Sequence, residues 1–256
     1  MQAQKRFSSQ LPVKKRGMLY LNIKSMKKGI FIVIEGTDGS GKTEQTKLLV
    51  ERLKTEGKKV TLFDFPRYGN PSAWFVEEYL NGRFGGLNEI SPKTASLFFA
   101  LDRYAAARNI KNSMKDGNIV ISNRYVASNL AHQGSKFENE RDRKKYFEWN
   151  YDLEYRINGI PKPNLNIILH VPAAIAQKLV DGKAERKHLG GKKRDLHEAD
   201  LKHLARTETT YKKLSKCFPS EFTWIECVEK QKLLSIETIH DRVWKLVSPL
   251  LGKFDS

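Results

Sequence analysis

The stretch FIVIEGTDGSGKTEQT, residues 31–46, decides the fold. It opens as a run of β-branched and aromatic residues, passes glycines at 36, 39 and 41, and reaches Lys42 and Thr43 as a helical pattern begins. From Gly36 to Thr43 the order G-T-D-G-S-G-K-T meets the G-x-x-x-x-G-K-[ST] spacing of a phosphate-binding loop between a strand and a helix. Each residue type has a reason. Glycines allow unusual backbone angles and close approach, so successive N–H groups can face phosphate oxygens while the following helix adds its positive end. Lys42 can reach β- and γ-phosphates as a point charge, and the Thr43 hydroxyl suits Mg²⁺. An ordinary strand-to-helix turn with a surface lysine has no reason to meet the whole pattern. Gly36, Thr37, Asp38, Gly39, Ser40, Gly41, Lys42, Thr43 and Glu44 therefore form the candidate nucleotide-binding set.

Outward from this junction, short apolar runs alternate with helical patterns, which predicts a parallel sheet with crossover helices. The strands fall at 30–34, 60–65, 118–122, 166–171 and 222–227, each a near-continuous run of β-branched and aromatic residues, as when both faces are covered. Helices are predicted over 43–55, with Leu48, Leu49 and Leu53 inward, and over 92–116, opened by Ser91 and Pro92 and closed by Gly117. Others are expected over 73–80, 140–156, 173–181, 197–216 and 235–251. The polar, basic, glycine-interrupted segment 182–200 breaks the alternation. Taken alone it is a solvated loop.

With 256 residues, 39% hydrophobic and 29% charged, the chain fits one globular domain, and no apolar run approaches the roughly 20 residues of a membrane span. The formal charge of +17 invites a nucleic-acid reading. Its distribution weakens that reading, because eight Lys and Arg lie within residues 1–28, which hold no acid. This basic extension has no secretory apolar core and faintly resembles an organelle transit peptide. Met26 immediately precedes the folded pattern, so the tail reads as disordered or as the product of an upstream start. The domain itself is expected over 29–256. Cys217 and Cys227 lack metal-knuckle or redox spacing and read as reduced thiols in a cytoplasmic protein.

Further motifs follow the loop in order: DFPRYG after the second strand, FALDR in the long helix, NRYVASN after the third strand, then GIPKPNL. All lie at carboxyl ends of strands or on flanking helices, where open α/β sheets bind ligands. As a set, with EGTDGSGKT and a basic lid, they closely resemble thymidylate kinase, of the nucleoside monophosphate kinase family. The resemblance runs from about Gly29 to the C-terminal helix. It implies an α/β, three-layer P-loop NTPase fold with a five-stranded parallel sheet in the order 2-3-1-4-5, helices on both faces and a mobile basic lid at about 182–196. It also implies ATP at the phosphate loop, dTMP opposite it, Mg²⁺ and a homodimer.

By that resemblance Asp38 lies near the acceptor's 3′-hydroxyl and the metal's water, although a helix-entry aspartate suits a helix dipole in any case. Arg67, beside Pro66 in FPRYG, holds the acceptor phosphate and Tyr68 packs by the sugar; the plain alternative is a loop arginine and a half-buried tyrosine that cover surface. Phe99 stacks on thymine and Arg103 bonds its carbonyl edge; helical periodicity alone would make Phe99 core. Arg124 bridges acceptor phosphate and transferred phosphoryl group, where a planar fork outperforms lysine. Asn129 reads the thymine edge. His132 stands where relatives carry an aromatic that disfavours a ribose 2′-hydroxyl; by itself it reads as a helix-surface histidine. Asn123 departs from the pattern: relatives typically have aspartate there, by the metal, so either metal affinity falls or Asp102, Asp38 or Glu35 compensates beside Thr43. Loop positions 38–40 hold no base, which moves the catalytic cation to the lid, to Arg186 and Arg194 in preference to Lys187, Lys192 or Lys193.

Transfer from ATP to dTMP, giving dTDP and ADP for dTTP synthesis, needs alignment and charge neutralisation and no general base. The rivals are a kinase of another pyrimidine monophosphate or of a deoxynucleoside, and a nucleic-acid-binding NTPase. A deoxynucleoside kinase needs a base for a neutral hydroxyl, and Asn123 is none. No nucleic-acid recognition motif is present. An inactive relative is a further possibility, resting on Asn123.

Overall fold

The computed structural model describes residues 29–87, 89–181 and 200–255. The basic extension over 1–28, the lid at about 182–196 and the lid cations Arg186, Lys187, Lys192, Lys193 and Arg194 lie outside the described residues.

Five parallel strands carry the domain: β1 (Phe31–Gly36), β2 (Val60–Asp64), β3 (Ile119–Asn123), β4 (Leu165–His170) and β5 (Phe222–Glu226). Their order is β2-β3-β1-β4-β5, as expected from the sequence. β1 is central and wholly buried, with Phe31 in register with Val120 on one side and Ile32 with Leu165 on the other. Alternation along this strand sends its side chains to two separate cores. Ile32 and Ile34 pack with Leu49 and Leu53 of α1 (Lys42–Thr55) and with Val243 and Val247 of α8 (Ile236–Asp255). Phe31 and Val33 face the opposite layer. There they meet Ile110 of α3 (Pro92–Lys115), Leu130 of α4 (Val126–Gly134), Phe147 of α5 (Glu140–Tyr151) and Leu214 of α7 (Leu201–Cys217). Burying a Leu, Ile or Phe side chain contributes about 1.5–3 kcal/mol, so the central strand anchors both layers at once.

Local signals explain most boundaries. The Ser91 hydroxyl accepts the Thr94 N–H at 3.1 Å and Pro92 occupies the first turn, so α3 begins where the sequence predicts. Three details differ. In α1 it is Val50 that is buried, while Leu48 is half-exposed, because the inward stripe runs 45, 46, 49, 50, 53. The helix expected over 140–156 ends at Tyr151 and continues as a π turn, Asp152–Ile157. α4 has no predicted range, although His132 reads as helical, since VASNLAHQG is short and rich in small and polar residues; it is buried on nearly every side.

The remaining elements are α2 (Trp74–Leu80), preceded by a short 3₁₀ turn, α6 (Ala173–Asp181), and a small antiparallel pair, β6 (Val228–Glu229) and β7 (Lys232–Leu233). Lys230 and Gln231 both have positive φ, as a tight two-residue hairpin turn requires. No helix of the described residues is long and apolar enough to cross a membrane.

Candidate active site

A cleft of ≈ 680 Å³ is lined by the carboxyl ends of β2 and β3 and by the loop between β1 and α1. The loop is held tightly from beneath. The Ser40 N–H and the Lys42 ammonium both donate to the Thr37 carbonyl, at 3.1 and 2.7 Å. Gly39 has φ 82°, and a Cβ there would lie 2.2 Å from the Ala176 carbonyl oxygen of α6, so both backbone and space demand glycine. Gly41, at φ 83°, caps α1. Asp38, Gly39, Gly41, Lys42, Thr43 and Glu44 line the cleft, whereas Gly36, Thr37 and Ser40 support it from behind. The hydroxyls of Thr37, Ser40 and Thr46 are buried with no hydrogen-bond partner in the protein. Such groups are expensive to bury unless a ligand or water satisfies them, which fits an anion-binding loop.

At the end of β3, Arg124 takes a left-handed conformation, φ 64°, uncommon for a residue with a side chain. Its neighbours hold it there. The Arg124 N–H donates to the Ile34 carbonyl at 2.9 Å, and the Ser122 hydroxyl donates to the Arg124 carbonyl at 2.7 Å. Buried Glu35 accepts the Tyr125 N–H at 2.6 Å, the Ser128 hydroxyl at 2.7 Å and the Tyr211 hydroxyl at 3.0 Å. Thus aimed, the Arg124 guanidinium pairs with Asp38 across the cleft and reaches Ser128 Oγ at 3.3 Å. Burial opposes its charge, but Asp38, Tyr211 and Glu35 outweigh that and raise its pKa.

His132 is buried, not on the helix surface, because α4 is enclosed by α3, α5 and α7. It lines the cleft with Nε2 3.4 Å from Arg124 Nη1 and Nδ1 3.4 Å from His203 Nε2. Burial pushes its pKa well below 6.5; Asp38 pulls the other way, and Arg124 and His203 add to the fall. The ring is therefore neutral at neutral pH.

Farther along the cleft, Phe99 and Arg103 project from one face of α3. Phe99 is half-buried and meets Tyr79 edge-on, centroids 6.1 Å apart. Arg103 is buried against Glu154, which stands in the π turn and accepts from Nε at 3.1 Å and from Nη2 more closely. Asn129 directs its amide N–H to the Ser96 carbonyl at 3.1 Å and toward Glu154 at 3.4 Å. Pro66 and Tyr68 line the cleft, and between them the Arg67 guanidinium pairs with cleft-lining Asp102, 2.9 Å, and with Ser72, 2.6 Å, pinning the FPRYG segment to α3.

Asn123 and Asp64 meet at the ends of β3 and β2, the amide donating to the carboxylate at 2.9 Å. Asp64, Glu154 and Ser128 were assigned no role from the sequence. Asp64 lay within the quoted DFPRYG motif, while Glu154 was hidden in a helical pattern. Among the described residues no three His, Cys, Asp or Glu cluster to hold a metal. Mg²⁺ takes one or two carboxylates and completes its shell with phosphates and water, so its fit turns on the oxygen donors present. Thr43, Asp38 and the Asn123–Asp64 pair are the oxygen donors at hand.

The family model described as thymidylate kinase matches residues 34–239. The chain belongs to the thymidylate kinase family. It is similar to the thymidylate kinase of Mycobacterium tuberculosis, 34% identical over 187 residues, which cover 73% of this chain and 86% of that protein. The probable thymidylate kinase of Thermococcus onnurineus is 32% identical across 88% of this chain and 100% of its own length. The Plasmodium falciparum thymidylate kinase is 30% identical, covering 88% and 92%. A solved Candida albicans thymidylate kinase superposes with a TM-score of 0.68, covering 90% of this chain and 94% of its own; at 20% identity it speaks to fold alone. This thymidylate kinase family member is an ATP-dependent nucleoside monophosphate kinase of nucleotide biosynthesis, phosphorylating dTMP.

Proposed function

We propose that the cleft divides into a donor end at the phosphate loop and an acceptor end at Phe99, Arg103, Asn129 and His132, with the γ-phosphoryl of ATP passing to dTMP between them. The observation that carries this division is Arg124. It is fixed by a strained backbone and paired with Asp38 of the loop, so one cation stands between the two ends. Lys42 and the loop amides would hold the ATP phosphates, and Leu179, Leu233 and Ile236 give the cleft an apolar rim suited to a purine, tied to α1 by the Gln45 amide on the Ile236 carbonyl at 2.9 Å. Thr43, Asp38 and the Asn123–Asp64 pair would hold Mg²⁺, which would supply positive charge against the ATP phosphates. Arg67 would act on the acceptor by fixing Pro66 and Tyr68 in place. Arg186 and Arg194 of the lid would supply the remaining positive charge.

Because the acceptor is an ionised phosphate oxygen, no side chain need remove a proton. Neutral His132 would close the cavity beside the acceptor sugar. We further read the chain as a cytoplasmic homodimer. The first rests on thiols left unlinked, Cys217 exposed and Cys227 buried. The second rests on an apolar stripe, Trp74 and Phe75 of α2 with Leu97, Leu101 and Tyr104 at helical spacing on α3, all exposed. Neither membrane nor specific nucleic acid has a part in this reading.

An ADP-release assay with ATP and Mg²⁺ against dTMP, dUMP, UMP, thymidine and no acceptor tests the acceptor assignment. Strongest turnover is expected with dTMP and weak turnover with ribose analogues. Phosphorylation of thymidine with dTMP ignored would overturn it.

A further inference from the structure

At the end of β3 stands the neutral side chain of Asn123, and three carboxylates nearby are engaged elsewhere. Asp102 accepts the Arg67 N–H at 2.8 Å, the Arg67 guanidinium at 2.9 Å and the Ser72 hydroxyl at 2.7 Å. Glu35 is buried and holds the start of α4 and the Tyr211 hydroxyl. Asp38 is paired with Arg124.

Asp64 differs from all three. It stands at the last position of β2, in register with Asn123 on the neighbouring strand, and both line the cleft with Lys42 and Thr43. The residue as a whole is exposed at the strand end, and the hydrogen bond its carboxylate accepts comes from the neutral Asn123 amide at 2.9 Å. That bond fixes which way the amide lies, since the alternative would set its oxygen against a carboxylate. The Asn123 oxygen is thereby left buried with no partner in the protein, beside the Asp64 carboxylate. An acceptor oxygen and a carboxylate side by side, next to a phosphate loop, form what the water shell of a hard divalent cation requires.

We infer that Asp64, at the end of β2, supplies the carboxylate for the Mg²⁺ site and that Asn123 on the neighbouring strand serves as its positioning partner. The inference rests on the proposed use of ATP with Mg²⁺ at this cleft. Asp64 and the Asn123 oxygen would hold the ion's water shell, and the Asn123 amide keeps the carboxylate aimed.

The test compares wild type, Asp64→Asn and the charge-swapped Asp64→Asn/Asn123→Asp, with thermal unfolding as a check on folding. Mn²⁺ binding to each enzyme–ADP complex is read by electron paramagnetic resonance, and the Mg²⁺ concentration for half-maximal turnover is read separately. Asp64→Asn is expected to weaken Mn²⁺ binding about tenfold or more, as loss of a water-shell partner does, and to raise the Mg²⁺ requirement in parallel. The charge-swapped variant should recover most of that loss. Unchanged Mn²⁺ affinity in Asp64→Asn, or a swapped variant no better than the single one, would overturn the assignment. Absence of dTMP phosphorylation by wild type would instead refute the functional reading, while the Mn²⁺ titration would still decide the role of Asp64.

Discussion

Arg124 concentrates the chemistry of this molecule in one side chain, so its substitution is the most informative. Arg124→Lys keeps a charge but loses the planar fork that spans Asp38 and Ser128. Steady-state kinetics should show kcat/KM reduced about 100-fold, roughly 3 kcal/mol of transition-state stabilisation, with little change in KM for ATP. Glu154 is a different case, since it serves Arg103 and not the substrate directly. Glu154→Ala would leave a buried guanidinium uncompensated, costing about 3–5 kcal/mol in chemical denaturation, whereas replacing both partners by apolar residues should cost less. His203 sets a pH dependence. Burial, then Lys136, hold its pKa down to about 4, against 6.5 in the unfolded chain. The unfolded state therefore binds the proton first on acidification, so the contribution to stability is complete above pH 6.5 and lost as pH falls toward 4. Thermal melts from pH 7 to 4 should fall steeply, and less so in His203→Gln. The loop residues were legible in sequence because they follow one another. Glu154 and Asp64 were not, because their meaning lies in partners 51 and 59 positions away.

The strand–loop–helix unit at 31–55 could be read outright, since β-branched runs, glycines at fixed spacing and a helical stripe report local backbone preference. Its rigidity can be tested at Gly39. Gly39→Ala would force a side chain into both a positive φ and the Ala176 carbonyl, so nucleotide binding by calorimetry should weaken at least about tenfold while the sheet's circular dichroism persists. α4 escaped the sequence reading because it is only 9 residues long, too short a window to establish a helical period, and its enclosure by the rest of the fold is tertiary. The π turn at Asp152–Ile157 escaped for a related reason. One extra residue in a helical turn changes no composition, yet it stands where Glu154 meets Arg103.

At the scale of the whole molecule, the alternation of strands and helices was enough to predict a parallel sheet, and the motifs' resemblance supplied its order. What patterning alone could not specify was which apolar side chains remain outside. Trp74, Phe75, Leu97, Leu101 and Tyr104 satisfy helical spacing as well as any core residue, and only the packed fold leaves them exposed. If a second copy covers them, Leu101→Glu should convert a dimer to a monomer in sedimentation velocity, with the secondary structure intact. The central position of β1 has a consequence for biogenesis. The strand leaves the ribosome first, but its two neighbours are encoded around residues 119–123 and 165–170. Synthesis must run through most of the chain before those edges are closed, and at about 5–20 residues per second the nascent polypeptide spends several seconds with its stickiest segment unpaired. A cell making this enzyme has to shield FIVI during translation, a burden created by strand order and borne before any nucleotide is bound.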